Sequence, residues 1–384
     1  MDFLSLQPVS LSEELVKLRR EVRAFLASEL ESGAFRAHSD QWLAGWDPEF
    51  SRRLADRGWL GMALPTEFGG SSASPMARFV VVEELLAAGA PVAAHWIADR
   101  QSAPTILRFG TQEQKEAFLP RIARGECFFA IGMSEPDTGS DLASVRTRAT
   151  RTDGGWLLNG SKVWTSGAHH ADAMIALVRT EAPSERRHAG LTQVIVELPH
   201  PNVAIRPIRL LNGEHHFNEV VFENAFVPDS RVLGEPGAGW MQVTSELAIE
   251  RSGPERILST FPLLTAALRW AVDTQTSLDE VQLGRLVARL WALRRLSLAV
   301  AGKIDAGDDP AVAAAMVKDL GTRFEGLLID TVRSLVDIEP DPQSPDELSR
   351  MLAEAVLHSP GFTLRGGTNE ILRGIVAKSL GGAV

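Results

Sequence analysis

The sequence predicts an α+β fold in which a helical part, an antiparallel β part and a second helical part follow one another along 384 residues. Apolar residues recur at helical spacing in the first part, alternate with polar residues in the middle part, and form helical faces again in the last part. We expect an N-terminal helical domain at residues 1–126, a middle β-domain at 127–235 and a C-terminal helical domain at 236–384.

The first part is predicted to be helical from its apolar spacing. In "SEELVKLRREVRAFLASEL", Leu15, Leu18 and Val22 fall on one helical face behind an acidic first turn. The stretch "LPTEFGG" predicts a turn, since proline and paired glycines interrupt helices. Further helices are predicted at residues 48–57, 76–88 and 112–124.

The middle part is predicted to form an antiparallel sheet. The stretch "VRTRATRTDGGWLLNGSKVWTS" alternates apolar and polar residues, and Asp153-Gly154 and Asn159-Gly160 are typical hairpin turns. Four further short strands are predicted in "ADAMIALV", "LTQVIVEL", "VAIRPIRL" and "EVVFENAFV".

Helices are predicted to return after "GEPGAGW", which resembles an interdomain linker. Residues 310–336 carry an apolar stripe, and Asp309-Pro310 is expected to supply the cap and the first residue of that helix. The spacing of Ser344 and Glu347 predicts a capping box for the next helix.

Composition excludes several classes of function. The net charge is −10 and no long run of Lys and Arg is present, so we expect no nucleic-acid partner. No apolar run approaches the roughly 18 residues of a membrane span, and the N-terminus lacks the basic region of a secretory signal. The single cysteine, Cys127, cannot form an internal disulfide. We therefore expect a cytoplasmic protein without a membrane partner.

Two segments concentrate the residues that suit a planar, oxygen-rich ligand. "GMSEPDTGSD" (132–141) combines small residues, hydroxyls and turn amides, and "NGSKVWTSG" (159–167) brings Trp164, Thr165 and Ser166 to the end of a strand. Together they resemble the flavin-binding signature of the acyl-CoA dehydrogenase family. The order of the three parts also resembles that family over the whole chain.

The resemblance implies that the cofactor is FAD and assigns residues to it. Ile131, Met133 and Ser134 would lie along the isoalloxazine ring. Trp164 would cover its face, and Thr165 and Ser166 would bind it, with Ser166 near N5. Ser140 would sit beside the pantetheine arm of an acyl-CoA substrate. The alternative is that Trp164 is a core residue and that the serines cap turns.

The family reaction needs a base that removes the proton α to the thioester carbonyl while hydride leaves the β carbon for flavin N5. The stretch "LRGGTNEILRG" resembles the closing motif of the family, in which the residue before Gly-Thr is commonly the catalytic glutamate. Here that residue is Gly366, so the usual base is absent. Its amide could still donate to the thioester oxygen, and its missing side chain would enlarge the pocket for a bulky acyl group; alternatively, Gly366 only makes a turn.

A replacement base is available in "LAIERSGPER" (247–256), which resembles a helix that carries the base in some family members. Glu250 matches the base and Arg251 the arginine beside it. Pro254 cannot donate to the carbonyl of residue 250, so we expect a kinked helix. The alternative is that Glu250 is a solvated acid paired with Arg251 or Arg256.

Two family features are missing. The arginine-led segment that reaches the FAD pyrophosphate of a neighbouring subunit is replaced by "WAVDTQTSLDEVQ", and a glycine-rich segment before the last helices is replaced by "SRMLAEAVLHSPGF". Thr368 and Glu370 match the closing motif and could still contact FAD across an interface. No metal is expected, because His215-His216 with Glu214 and Glu219 lacks a defined ligand spacing.

Three functional hypotheses follow from the resemblance. The first is an FAD-dependent acyl-CoA dehydrogenase that passes electrons to an electron-transfer flavoprotein. It would assemble as a homodimer or homotetramer through the apolar faces of 283–293 and 313–335. The second is a non-catalytic structural subunit in a heteromer with a catalytic paralogue. The third is a flavin oxidase or monooxygenase on the same fold.

Overall fold

The computed structural model describes residues 6–182, 185–250 and 253–381, with residues 246–250 described by their backbone alone. Grouped by the proximity of their Cα atoms, the residues form two compact units. The first, which we term the helical unit, comprises Met1–Gly45, Ser74–Pro91 and Ala248–Val384. The second, which we term the β unit, comprises Trp46–Ala73 and Val92–Leu247.

The elements confirm the predicted α+β class. In chain order, the helices are α1 (Glu13–Glu31), α2 (Gln41–Ala44), α3 (Pro48–Asp56), α4 (Pro75–Ala87), α5 (Ala93–Ile97), α6 (Ala103–Phe109), α7 (Gln112–Ala123), α8 (Gly239–Glu250), α9 (Phe261–Asp273), α10 (Glu280–Asp305), α11 (Ala311–Leu335), α12 (Glu347–His358) and α13 (Asn369–Ser379). The strands are β1 (Phe129–Gly132), β2 (Arg148–Thr152), β3 (Gly155–Ser166), β4 (Ala173–Arg179), β5 (Leu191–Glu197), β6 (Val203–Ile208), β7 (Phe217–Pro228) and β8 (Val232–Leu233).

The helical unit is built on two long helices, α10 and α11, which pack against each other. Helix α4 lies between α1 and α10, and α11 also contacts α9, α12 and α13. Met76 and Phe79 of α4 pack against Leu298 of α10, and Val300 packs against Val317 of α11. Among the described residues, no helix combines the length and the apolar character that crossing a membrane requires.

The helix caps differ in detail from those predicted. Helix α11 begins at Ala311, so Pro310 is its cap, and the Asp309 carboxylate accepts a hydrogen bond from the amide of Ala311 at 2.9 Å. The capping box predicted from Ser344 is wrong. The Asp346 carboxylate caps α12 by accepting from the amide of Ser349 at 2.8 Å, because it stands immediately before the first helical residue.

The β unit is organised by one sheet with strand order β6-β7-β3-β2-β4-β5-β8, in which β1 also pairs with β4. Most neighbouring strands are antiparallel as predicted, but β1 and the start of β2 run parallel to β4. Strand β4 is buried on both faces: Ile175 packs with Phe118 and Ile122 of α7, while Met174 packs with Phe222 of β7. Double burial explains the continuous apolar run of "AMIALV".

Only one of the two predicted hairpin turns is present. Asp153-Gly154 joins β2 to β3, but Asn159-Gly160 lies inside β3 beside a register shift against β7. Gly160 has φ +141, and a Cβ atom there would lie 2.8 Å from the Cα atom of Thr147. The glycine therefore permits a bulge and a close backbone approach and does not reverse the chain.

The division of the sequence into domains at 126 and 235 stays a prediction. Spatial grouping assigns α1, α2 and α4 to the helical unit, whereas α3 and α5 to α7 belong to the β unit.

Cys127 is 1% exposed, and burial raises the pKa of its thiol to about 12. A neutral, buried thiol is a structural residue and a poor nucleophile.

Candidate active site

The two segments predicted to bind a flavin are adjacent in the β unit. The amide of Val163 donates to the carbonyl of Ser134 at 2.9 Å, and Lys162 Nζ donates to the carbonyl of Met133 at 3.1 Å. Ile131 lies in β1, opposite Ile175 of β4. Ile131, Met133 and Ser134 are half-buried. The residues that follow β1 therefore lie beside the end of β3. We refer to residues 131–134 and 162–166 together as the edge.

Trp164 stands at a strained point of that edge. It has φ +58 and lies in a bulge between Lys162 and Thr165, where the register of β3 against β7 shifts. A left-handed conformation costs a residue other than glycine roughly 1–2 kcal/mol. Trp164 is 56% exposed, and its described ring contact is an edge-on one with Phe217 at 5.7 Å. The alternative that Trp164 is an ordinary core residue is wrong, because its ring is available to a ligand.

Thr165 and Ser166 continue the edge beyond the bulge. Thr165 is fully buried, and among the described residues no atom forms a hydrogen bond with its hydroxyl. A buried hydroxyl without a partner loses free energy unless a ligand or water satisfies it. Ser166 is half-buried and pairs with Phe217. The exposed aromatic face of Trp164 fits a planar ring such as a flavin, whereas the Thr165 hydroxyl is buried.

A buried ion pair that was not predicted from the sequence contacts this edge. Lys162 is 0% exposed, and its Nζ lies 2.8 Å from Glu135 Oε1. Glu135 also accepts hydrogen bonds from the amides of Arg146 at 2.6 Å and Thr147 at 2.9 Å. Burial lowers the pKa of Lys162 to about 8. Burial alone would raise the pKa of Glu135, but the Lys162 ammonium and the hydrogen bonds hold that pKa below its ordinary value.

Ser140 lies in the exposed loop between Thr138 and the short helical turn Leu142–Ser144. Its neighbour Asp141 forms exposed hydrogen bonds with Ser144 Oγ and Arg187 Nη2. The position of Ser140 leaves its hydroxyl open to solvent, and contact with a pantetheine arm stays a prediction.

The proposed base and its neighbour lie outside what the structure describes. Helix α8 ends at Glu250, whose side chain is outside the described residues, as is Arg251. Pro254 begins a separate 3₁₀ turn, Pro254–Arg256, so the predicted kink is wrong: the helix ends before the proline. Proline lacks the amide that would continue a helix, and Gly253 before it adopts extended backbone.

Position 366 suits a glycine for two reasons, its backbone conformation and the Arg256 side chain packed against it. It has φ +69, and a Cβ atom there would lie 2.6 Å from Arg256 Nη2. Arg256 is 1% exposed, and its guanidinium lies over the ring of Trp42 at 5.0 Å. The expectation that the missing side chain enlarges a pocket is therefore wrong, because the Arg256 guanidinium occupies that volume.

The rest of the closing motif is held in place by buried charges. Arg365 pairs with the buried carboxylate of Asp40 through two contacts, of 2.6 and 2.7 Å. Lys318 is 0% exposed, and its Nζ donates to the carbonyls of Thr363 and Gly367 at 3.2 and 2.8 Å and to Asn369 Oδ1 at 2.8 Å. Neither Asp40 nor Lys318 was predicted from the sequence.

Thr368 and Glu370 have local roles at the start of α13. The Thr368 hydroxyl caps the helix by accepting from the amide of Ile371, and Glu370 is an exposed acid in its first turn. A capping hydroxyl and a negative charge are both favourable at the positive, N-terminal end of the helix dipole. Contact of either residue with FAD across an interface stays a prediction.

A pH-dependent stability is expected from Glu325, which lies in the same cluster. Its Oε1 accepts from the amide of Ser259 at 2.8 Å, and burial raises the pKa of its carboxyl from 4.5 to about 7 against the opposing influence of Arg365. The folded state therefore binds more protons than the unfolded state between those pH values, and its stability falls as pH rises. Relative to the wild type, Glu325→Gln should gain about 3 kcal/mol in free energy of unfolding from pH 4.5 to pH 7. Urea unfolding of both proteins across this range measures the gain; a difference that does not change with pH would contradict the assignment.

Comparison with known proteins identifies the family of the chain. Residues 12–126 match the family model "Acyl-CoA dehydrogenase, N-terminal domain" and residues 130–225 match "Acyl-CoA dehydrogenase, middle domain". Acyl-CoA dehydrogenase FadE29 of Mycobacterium tuberculosis is 32% identical over 385 residues, which cover 97% of each chain. Acyl-CoA dehydrogenase FadE34 of the same organism is 35% identical over 87% of this chain, but the match spans only 46% of that longer protein.

Solved structures give the same result. The structure described as "Tcur3481-Tcur3483 steroid ACAD" superposes over the whole of both chains with a TM-score of 0.87 and 29% identity. A chain of the ChsE4-ChsE5 complex from M. tuberculosis superposes with a TM-score of 0.83 and 28% identity, over 98% of this chain and 100% of that one. The predicted three-part order and the predicted family are confirmed. The chain belongs to the acyl-CoA dehydrogenase family.

Proposed function

We propose that the chain is an FAD-dependent acyl-CoA dehydrogenase that introduces an α,β double bond into an acyl-CoA thioester. The observation that carries this proposal is the edge formed by Met133, Ser134 and Trp164, where an exposed indole in a strained bulge lies beside turn carbonyls and hydroxyls. FAD, when bound, would supply the acceptor for the hydride from the β carbon. Ile131, Met133, Ser134, Trp164, Thr165 and Ser166 would hold its ring.

The chain supplies the groups that move and stabilise charge. Glu250 would remove the proton α to the thioester carbonyl, and Arg251 would contact the substrate beside it. The amide of Gly366 would donate to the thioester oxygen, on which negative charge develops. Ser140 would bind the pantetheine arm. In the closing motif, Thr368 caps α13 and Glu370 is an exposed acid in its first turn, and we assign neither of them as the base.

The acyl group is proposed to be bulky and polycyclic. Support comes from the neighbour described as a steroid ACAD, which matches this chain over its full length. The missing side chain of Gly366 gives no support for this acyl group, because Arg256 occupies the space beside it. Electrons would pass to an electron-transfer flavoprotein.

Assembly is proposed to use an exposed face of α10. Gly284, Val287, Ala288 and Trp291 fall on one side of this helix and are exposed, Trp291 to 62%. The face of α11 that also suggested assembly is instead buried within the helical unit, where Val317, Phe324 and Leu328 are 1%, 4% and 0% exposed. A homodimer, a homotetramer or a heteromer could use the α10 face.

A second candidate function is a non-catalytic subunit of a heteromer. It is favoured by the absence of a glutamate at Gly366 and by the match to a chain of the two-component ChsE4-ChsE5 complex. In that case the chain would contribute its fold and its interface to a catalytic paralogue.

Purification of the chain alone and together with a paralogue of the same family tests these functions. We expect a yellow protein whose flavin absorbance bleaches anaerobically when a steroid-side-chain CoA thioester is added and returns when an electron-transfer flavoprotein is supplied. A colourless chain that acquires flavin only in the mixed complex would support the second function. Rapid reoxidation by oxygen alone would support an oxidase.

A further inference from the structure

A group of imidazoles and one amide lies next to the edge that carries Trp164. His169 and His170 follow β3 directly, and their rings lie 3.9 Å apart. His215, just before β7, stacks on His169 at 4.1 Å, and Trp46 stacks on His170 at 4.9 Å. Among the described residues, no group of three or more His, Cys, Asp or Glu side chains is arranged to hold a metal ion. The group therefore needs a different explanation.

Asn218 of β7 links these imidazoles to the edge. It is 0% exposed and stands directly opposite Thr165 in the register of β3 and β7. Its Nδ2 donates to the carbonyl of Thr165 at 3.0 Å. The same nitrogen lies 3.0 Å from His169 Nδ1, and its Oδ1 lies 2.8 Å from His215 Nε2.

The hydrogen-bonding roles in this network follow from the Thr165 carbonyl. A carbonyl oxygen only accepts, so the amide nitrogen of Asn218 must face it. The other N–H of that nitrogen then faces His169 Nδ1 at 3.0 Å, with the carbonyl of His216 farther away at 3.4 Å, so Nδ1 accepts and carries no proton. Asn218 Oδ1 accepts, so His215 Nε2 must be protonated. Burial and the neighbouring imidazoles of His170 and His215 lower the pKa of His169 to about 4, which keeps this ring neutral near pH 7.

The network holds the backbone on the C-terminal side of Trp164, the strained residue. Before Trp164, the amide of Val163 is bonded to the carbonyl of Ser134 at 2.9 Å. After Trp164, the carbonyl of Thr165 is bonded to Asn218. A left-handed tryptophan persists only where the surrounding contacts determine its conformation. These two bonds hold the backbone one residue before and one residue after it.

We propose that Asn218, oriented by His169 and His215, is a positioning residue that holds the Trp164–Ser166 backbone in the conformation that binds the flavin ring. This inference rests on the proposed flavin function of the same edge. Asn218 does not touch the ring itself; it acts through the Thr165 carbonyl.

The first test replaces Asn218 by aspartate, which has the same shape but no N–H to donate. An acceptor then faces the Thr165 carbonyl, and we expect the dissociation constant for FAD to rise about tenfold, the equivalent of one lost buried hydrogen bond. The spectrum of bound flavin should also shift. The matched control is Asn202→Asp, because the exposed Asn202 likewise donates from Nδ2 to a carbonyl, that of Glu223, at 2.8 Å. The control should bind FAD like the wild type.

The second test uses the half-buried His215 and separates orientation from packing. His215→Gln can keep a donor toward Asn218 Oδ1 and should bind FAD within about twofold of the wild type. His215→Leu removes the donor and should weaken binding severalfold, although it remains folded by circular dichroism. Equal binding by both variants would overturn the role of His215 in orienting Asn218.

The outcomes distinguish the two proposals. Wild-type affinity and an unshifted flavin spectrum in Asn218→Asp would overturn the positioning role and leave the flavin function intact. Failure of the wild type to bind FAD, alone or in complex with a paralogue, would overturn both. An Asn218→Asp protein that does not fold leaves the decision to the His215 pair of variants.

Discussion

Replacing Lys162 by methionine is expected to lower the free energy of unfolding by about 3–5 kcal/mol, because it leaves a buried carboxylate without its cation. Lys162 and Glu135 are 0% and 7% exposed, and the ammonium also donates to the carbonyl of Met133. Loss of that bond should loosen the turn that meets Val163, so FAD affinity should fall together with stability. Urea unfolding and FAD titration measure the two effects.

An exposed ion pair in the same sheet supplies the control for this prediction. Arg151 and Asp229 pair across the surface with side chains 57% and 47% exposed, and Arg151→Met should leave the stability nearly unchanged. The double variant Lys162→Met with Glu135→Gln should recover part of the loss, because no buried charge remains unpaired. A Lys162→Met protein as stable as the control would show that this pair does not support the edge.

Replacing Glu250 by glutamine is expected to slow flavin reduction by the acyl-CoA about 10³-fold, since positioned general bases contribute roughly 10²–10⁴-fold. Glutamine has nearly the same shape as glutamate but cannot accept the α proton, so binding of the thioester should change little. Anaerobic stopped-flow spectroscopy of the flavin measures the rate, and titration with a thioester that cannot be oxidised measures the binding.

The matched control for this variant is Glu235→Gln. Glu235 is an exposed acid in the loop before α8, and its replacement should leave the rate of reduction unchanged. Flavin reduction at the wild-type rate in Glu250→Gln would contradict the assignment of the base. The base would then be another acid of the chain or a residue of a partner subunit.

The sequence predicts those parts of the fold that depend on local patterns. Helical spacing located α1, α4, α7 and α11 to within one or two residues, and alternation located the main strands. The bulge at Trp164 and the parallel pairing of β1 with β4 were not foreseen, because they depend on contacts between distant segments. The turn predicted at Asn159-Gly160 was wrong for the same reason. The glycine allows a close approach of the backbone to Thr147 and does not form a turn.

The motif residues of the candidate site could be picked out from the sequence, whereas its buried charges could not. Trp164 and Ser134 stood out as motif residues, and the structure brings their segments together. Lys162 and Lys318 did not, because a lysine in an alternating or helical pattern is expected to face solvent. Each lysine is buried only because its partners, Glu135 and the Gly367 carbonyl, come from elsewhere in the chain. No local pattern reports such a pair.

The structure of the chain with FAD and a non-oxidisable acyl-CoA tests the central claim most directly. We predict that the isoalloxazine ring lies against the Trp164 indole, with Thr165 and Ser166 at its polar edge, and that Glu250 is the carboxylate nearest the α carbon of the thioester. A folded complex in which the flavin makes no contact with residues 164–166, or in which a different acid faces the α carbon, would contradict it.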